Sequence, residues 1–151
     1  MPESPQRFLN VLVAVDGSPH ADLALSRAIA MAERDHARLT VMTVAAVVGT
    51  AAWSGAVSVP ALQEDVDAAA QTLLRAAIDT VPDDLPVHSV FKHGHPGPAI
   101  VAQVRAGKHD AVVLGARGVG RIGGLFGSVS QHVLHHAGVA VFVAHAPRDE
   151  R

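Results

Sequence analysis

The stretch Ala111-Val112-Val113-Leu114-Gly115-Ala116-Arg117-Gly118-Val119-Gly120-Arg121-Ile122-Gly123-Gly124-Leu125-Phe126-Gly127-Ser128-Val129-Ser130 passes from an apolar strand through glycines into a helix start. Residues 111–114 have the Val-rich character of a buried strand. Gly115, Gly118, Gly120, Gly123, Gly124 and Gly127 place six glycines within thirteen residues. Glycine at such a turn removes the side chain where a ligand must reach backbone. Gly127-Ser128 then opens a helix, whose first N–H groups lack intrahelical partners and sit at the positive end of the helix dipole. Together these features describe a cradle for phosphate. A solvated loop with no ligand is the competing account, but it needs neither an ordered strand before it nor a Gly-Ser helix start after it. The stretch lacks the Gly-Lys-[Ser/Thr] ending of a Walker A loop, and it does not follow the first strand as a dinucleotide fingerprint would.

Four further apolar runs, at residues 8–15, 39–44, 87–91 and 139–144, share the Val-rich, weakly alternating pattern. Such runs suit strands buried on both faces of a parallel sheet. Helical patterns separate them. Ser18-Pro19 is an N-cap followed by a first-turn proline, and Ala21, Leu25, Ala28, Ile29 and Ala32 then share one face. A second helix starts at Pro60 with Leu62, Val66, Ala69, Leu73 and Ala77 as its stripe, and Pro82-Asp83-Asp84 marks its end. A third covers residues 98–105 with Ile100, Val101 and Val104 inward. The fourth follows Gly127, turns Val129, Val133 and Ala137 inward, and stops at Gly138. The order βαβαβαβαβ predicts an α/β fold: a doubly wound, five-stranded parallel sheet with right-handed crossovers.

The chain has 151 residues, 49% of them hydrophobic, and a formal net charge of −2. That length suits one domain with a substantial core. We expect a domain at residues 8–146, a disordered lead-in at 1–7 and a solvated tail at 147–151. The charge gives no nucleic-acid surface, and the scarcity of aromatic rings removes stacking platforms for single strands. With no cysteine, disulfide frameworks and thiolate metal sites are excluded, which fits a cytoplasmic protein. No apolar run reaches the roughly 18 residues of a membrane helix, and the N-terminus has no signal-peptide pattern. The small, apolar, glycine-punctuated segment from Ala45 to Val59 is too long for an ordinary strand-to-helix turn; it is either a flap or a packed insertion.

In an open α/β sheet, ligands bind beyond the carboxyl ends of the strands where strand order reverses. Asp16-Gly17-Ser18 follows the first strand and the glycine loop follows the fourth. If those strands are neighbours, Asp16 faces Gly115 across the crevice. Asp16 is then an acceptor for a ribose hydroxyl or a base amine, or else a carboxylate that steadies the first helix. Arg117 and Arg121 are candidates to offset phosphate charge, or simply solvated. The ten histidines include the neighbours His135 and His136, which cannot face the same way on a helix. His132 and His136 share a face but lack the Glu of a zinc-protease motif, so solvated or capping roles are expected, with His95 capping the third helix. Ser18, Ser128 and Ser130 lie outside any Gly-x-Ser-x-Gly elbow; caps and phosphate ligands are their expected roles.

The strand end Val15-Asp16-Gly17-Ser18, the turn Gly94-His95-Pro96 and the block from Gly115 to Ser130 resemble the single-domain, nucleotide-binding universal stress proteins. The run Val133-Leu134-His135-His136-Ala137 is similar to that family too. The family motif is Gly, two residues, Gly, nine residues, Gly, then Ser or Thr. Gly115, Gly118, Gly127 and Ser128 match it, with eight residues in place of nine between Gly118 and Gly127. The resemblance implies a Rossmann-like, adenine nucleotide alpha hydrolase-like fold with strand order 3-2-1-4-5. It also implies ATP or another adenine nucleotide as ligand; a divalent ion, Mg2+ or Mn2+, then fits beside the phosphates, taking most of its ligands from phosphate and water. By matching positions, Ala14 and Asp16 lie near the adenosine, Val44 packs on the base and Gly115 approaches the ribose. Gly118, Gly127, Ser128 and Val129 hold phosphates through N–H groups and the Ser128 hydroxyl. A homodimer through the last strand, Val139 to Ala144, is implied as well, and it would cover an apolar sheet edge; the chain's own tail is the other candidate cover.

The residues point to a phosphate-binding module, and the resemblance implies that it acts in stress response or regulation. A slow ATPase stays open as an alternative, although Lys92 and Lys108 both lie outside the glycine loop that phosphoryl transfer would want gripped. A dimeric interaction protein with an empty crevice is the other.

Overall fold

The computed structural model describes residues 5–49, 58–117 and 127–147. Five strands alternate with four helices: β1 (Asn10–Ala14), α1 (Pro19–Asp35), β2 (Arg38–Ala45), α2 (Val59–Asp79), β3 (Val87–His93), α3 (Pro96–Ala106), β4 (Ala111–Gly115), α4 (Ser128–His136) and β5 (Ala140–Ala144). All pairings are parallel and the order is β3-β2-β1-β4-β5, as the resemblance implied. β1 is central, with Val11 level with Leu39 on one side and with Ala111 on the other.

Strand parity builds two cores. Val11, Val13 and Val15 point to one face, where Ala24, Leu25 and Ala28 of α1 meet Leu74 and Ala77 of α2. Leu12 and Met42 point to the other, against Ile100, Val101 and Val104 of α3 and Val133 of α4. Leu12 and Met42 are fully buried, and burying such a side chain contributes about 1.5–3 kcal/mol. The outer strands differ from the uniformly buried character read from their sequence. β3 is mostly exposed or half-buried and β5 half-buried, because each pairs on one edge only.

Local signals explain most helix bounds. The Ser18 hydroxyl accepts the Ala21 N–H at 3.1 Å, a cap with Pro19 in the first turn. Gly138, at φ +67°, ends α4 in the left-handed region. Two expectations are corrected. α3 begins at Pro96, two residues early, because prolines in a first turn lack only N–H groups the helix does not use. His95 occupies its N-cap position but makes no side-chain capping bond. The α2 stripe also shifts: Ala69 is exposed, whereas Leu74 is buried. Only the second half of α2 packs deeply on the sheet.

The amino ends of the strands are pinned by carboxylates. Asp110 accepts the N–H groups of Leu9 and Asn10 at 2.8 and 3.0 Å. Asp35 accepts the Phe8 N–H at 3.0 Å, and its bond with Arg34 together with that N–H lowers its pKa to about 2. Burial pushes the pKa of His109, at the same end, below the usual imidazole range.

Candidate functional site

β1 connects through α1 to β2 on one side and lies beside β4 on the other, so the chain diverges at the carboxyl ends of β1 and β4. A cleft of about 100 Å³ opens there. Ala14, Met42, Val44, Ile100 and Leu114 form its apolar wall, and Asp16 and Arg117 are the ionisable residues in its described lining. Gly127, Ser128 and Val129 close one end with the first turn of α4.

Hydrogen bonds fix this rim. The Val15 N–H donates to the Met42 carbonyl at 2.9 Å, and the Thr43 hydroxyl donates back to the Val15 carbonyl at 3.0 Å. Asp16 Oδ1 accepts the Ser18 N–H at 2.9 Å, shaping the turn into α1. The Ser18 hydroxyl also donates to the Arg117 carbonyl at 3.3 Å, joining the α1 cap to the exit of β4. The Ser130 hydroxyl donates to the Gly115 carbonyl at 2.8 Å and ties α4 to the same strand end. Ser18 and Ser130 are therefore structural anchors, and the hydroxyl of Ser128 is the one at the exposed first position of α4.

Of the residues proposed from sequence, Ala14, Asp16, Val44, Gly115, Gly127, Ser128 and Val129 line this one cleft. Gly118 lies outside the described residues, as do Gly120, Arg121, Gly123, Gly124 and positions 50–57 of the Ala45 to Val59 segment. The Gly127 N–H already donates to the Ala116 carbonyl at 2.7 Å, so Gly127 contributes an extended N-cap and bare backbone, not an N–H. Residues 128–130 precede the helical ladder, which starts with the Gln131 N–H donating to the Gly127 carbonyl at 3.1 Å. Gly115 is bare for a packing reason: a Cβ there would stand 2.7 Å from the Ala21 nitrogen and the His20 carbonyl carbon.

Met42, Ile100 and Leu114 were not proposed from sequence. Met42 carried a usable signal, since it stands two residues before Val44 and so on the same face of β2. Helical spacing assigns Ile100 to the core alone, yet the first turns of α3 start at the same sheet edge as the cleft. Beside the cleft, Gln63 of α2 grips the chain leaving β2. Its carboxamide accepts the Val48 N–H at 2.8 Å and donates to the Ala46 carbonyl at 3.0 Å and to Asp67 at 2.8 Å. His93 meets the same carboxylate at 2.9 Å, and these two bonds, His93 first, hold the Asp67 pKa below its ordinary value.

The histidine readings separate cleanly. The rings of His132 and His136 stack at 4.3 Å, as their helical spacing allows. His20 accepts the Ala146 N–H on Nδ1 at 2.9 Å. Among the described residues, no group of three or more His, Asp or Glu side chains is placed to hold a metal ion. Among them, too, no helix is long and apolar enough to cross a membrane.

Comparison with known proteins agrees with this architecture. A universal stress protein of Thermus aquaticus is 34% identical over 136 residues, spanning 86% of this chain and 93% of that one. The universal stress protein UspA from Lactobacillus plantarum superposes with a TM-score of 0.74 at 26% identity, covering 92% of this chain and 99% of that one. A universal stress protein in complex with cAMP has a TM-score of 0.67 at 24% identity, covering 94% and 100%. One from Arabidopsis thaliana with AMP bound has a TM-score of 0.65 at 20% identity, covering 94% of each chain. The model of the universal stress protein family matches residues 7–145, and with nearly the whole domain inside that match the chain belongs to this family.

Proposed function

We propose that this protein is an adenine-nucleotide-binding module, with ATP as the leading ligand, acting in stress response or regulation in the cytoplasm. One observation carries the reading: a single cleft joins an apolar wall to the first turn of a helix. The wall of Ala14, Met42, Val44 and Ile100 suits the faces of a base. The first turn of α4 suits an anionic tail, through its N–H groups and dipole. Asp16, at the tip of β1, is positioned between them as an acceptor for ribose hydroxyls. The cAMP and AMP held by two relatives are adenylates of the same kind.

Mg2+ or Mn2+ would accompany the phosphates, taking most of its ligands from phosphate oxygens and water; Asp16 is the carboxylate in the described lining that fits such an ion. We favour binding over turnover. Phosphoryl transfer wants a phosphate-gripping cation and a positioned base, and neither Lys92 nor Lys108 is in the described lining of the cleft.

Thermal melts test the reading. ATP with Mg2+ at about one hundred times its dissociation constant should add about 2.7 kcal/mol, or about 5–11 °C in melting temperature for a chain of this size. Unshifted melts in millimolar ATP, AMP and cAMP would reject it and leave an interaction protein of the same fold. Sustained phosphate release that Ser128→Ala abolishes would instead make the protein a slow ATPase.

The homodimer belongs to the same proposal. β5 is an edge strand, its Phe142 is partly exposed, and the chain after it turns toward His20, where Ala146 is bound. That course favours a second copy over the described part of the tail as the cover of the edge. Sedimentation at micromolar concentration should give twice the mass of the 15.6 kDa chain; a monomer would rule the dimer out.

A further inference from the structure

On the nucleotide reading of the cleft, Arg117 takes on a role of its own. Arg117 lines the cleft. Its Nε is shut off from solvent and has no hydrogen-bond partner. The two described ion pairs use Arg34 with Asp35 and His93 with Asp67. A guanidinium keeps its charge at any physiological pH, and a buried donor left without an acceptor destabilises the fold. The fold has nonetheless fixed its root. The Arg117 carbonyl accepts the Ser18 hydroxyl, and the preceding residue, Ala116, is bonded through its N–H to Ala144 and through its carbonyl to Gly127. The backbone that carries the side chain is thereby fixed beside the N-cap of α4, at the end of the cleft assigned to the anionic tail.

We propose that Arg117 sets the phosphate preference of the cleft, favouring adenylates with an open phosphate tail over the nucleoside. The planar guanidinium presents parallel N–H donors that match phosphate oxygens and form short, charge-assisted bonds. A phosphate chain running from the base toward α4 satisfies the orphaned Nε–H and offsets the charge. Adenosine fills only the apolar end and leaves that donor unmet. Asp16 has no comparable need, since its carboxylate already accepts the Ser18 N–H.

The test is calorimetric titration of the full chain with adenosine, AMP and Mg-ATP, using wild type, Arg117→Gln and Arg117→Lys. Wild type should prefer ATP to adenosine. Arg117→Gln should cut that preference by about tenfold or more, the scale of one charged hydrogen bond, while adenosine affinity stays within about twofold. Arg117→Lys should restore part of the preference, having the charge but not the fork. Without ligand, Arg117→Gln should melt no lower than wild type, because it removes an unsatisfied donor. Equal weakening of adenosine and ATP, or an unchanged ATP preference, would overturn the role of Arg117 and leave the nucleotide reading intact. If Arg117→Gln does not fold, an unaltered preference in Arg117→Lys overturns the need for the fork. Failure of wild type to bind any of the three would reject the nucleotide reading itself, and the inference with it.

Discussion

Gly115→Ala is expected to cost about 3 kcal/mol or more of folding stability, at the upper end of over-packing penalties. The added methyl would meet backbone on the first turn of α1, 2.7 Å from both the Ala21 nitrogen and the His20 carbonyl carbon. A side chain can rotate away from such a contact. Here the opposing atoms belong to a helix capped by Ser18 and tied to Arg117, so relief requires α1 and β4 to move apart. In this chain that corresponds to a fall of about 6–12 °C in melting temperature, readable by calorimetry. Because Gly115 also borders the cleft, the same displacement should weaken ATP binding. A variant that melts like wild type would show that α1 and β4 are not packed this tightly.

Ser128→Asp is expected to abolish adenylate binding while the fold stays intact. Ser128 is the first residue of α4 and is exposed. A carboxylate there is favoured by the helix dipole by about 0.3–1 kcal/mol, which offsets the loss of the serine's own contacts, so the chain should still fold with a melting temperature close to wild type. The same carboxylate would sit where the phosphates are proposed to bind. Like charges placed together cost several kcal/mol, and about 3 kcal/mol already exceeds a hundredfold in affinity. Titration with Mg-ATP beside a thermal melt separates the two effects. Lost binding with kept stability supports an anion seat at α4; unchanged ATP affinity would remove α4 from the site.

The architecture was largely legible because each element carried its own local signal. Val-rich runs marked the strands, Ser18-Pro19 marked the start of α1, and Gly138 marked the end of α4. The strands' alternating faces then predict which side chains share a core, and Val11 and Leu12 do part to opposite sides of the sheet. Where the reading slipped, the cause lay in an element's surroundings. Ala69 fits a helical stripe as well as Leu74 does, but the sheet lies only beneath the second half of α2. His95 has the position of a cap without its bond. Met42 and Ile100 serve both core and cleft, a double role no pattern of hydrophobicity contains.

Sequence alone determined the βαβ alternation, the strands' periodic faces, the Ser18 cap of α1 and the glycine stop of α4, because these follow from backbone preference and side-chain spacing within a few residues. Only the tertiary structure decided why Gly115 must be bare, that the Gly127 N–H is already spent on Ala116, and that the Arg117 Nε is left without an acceptor. Those facts depend on contacts between segments far apart in the chain. Whether a donor is satisfied, or a methyl group fits, is set by whichever atoms the fold brings against it.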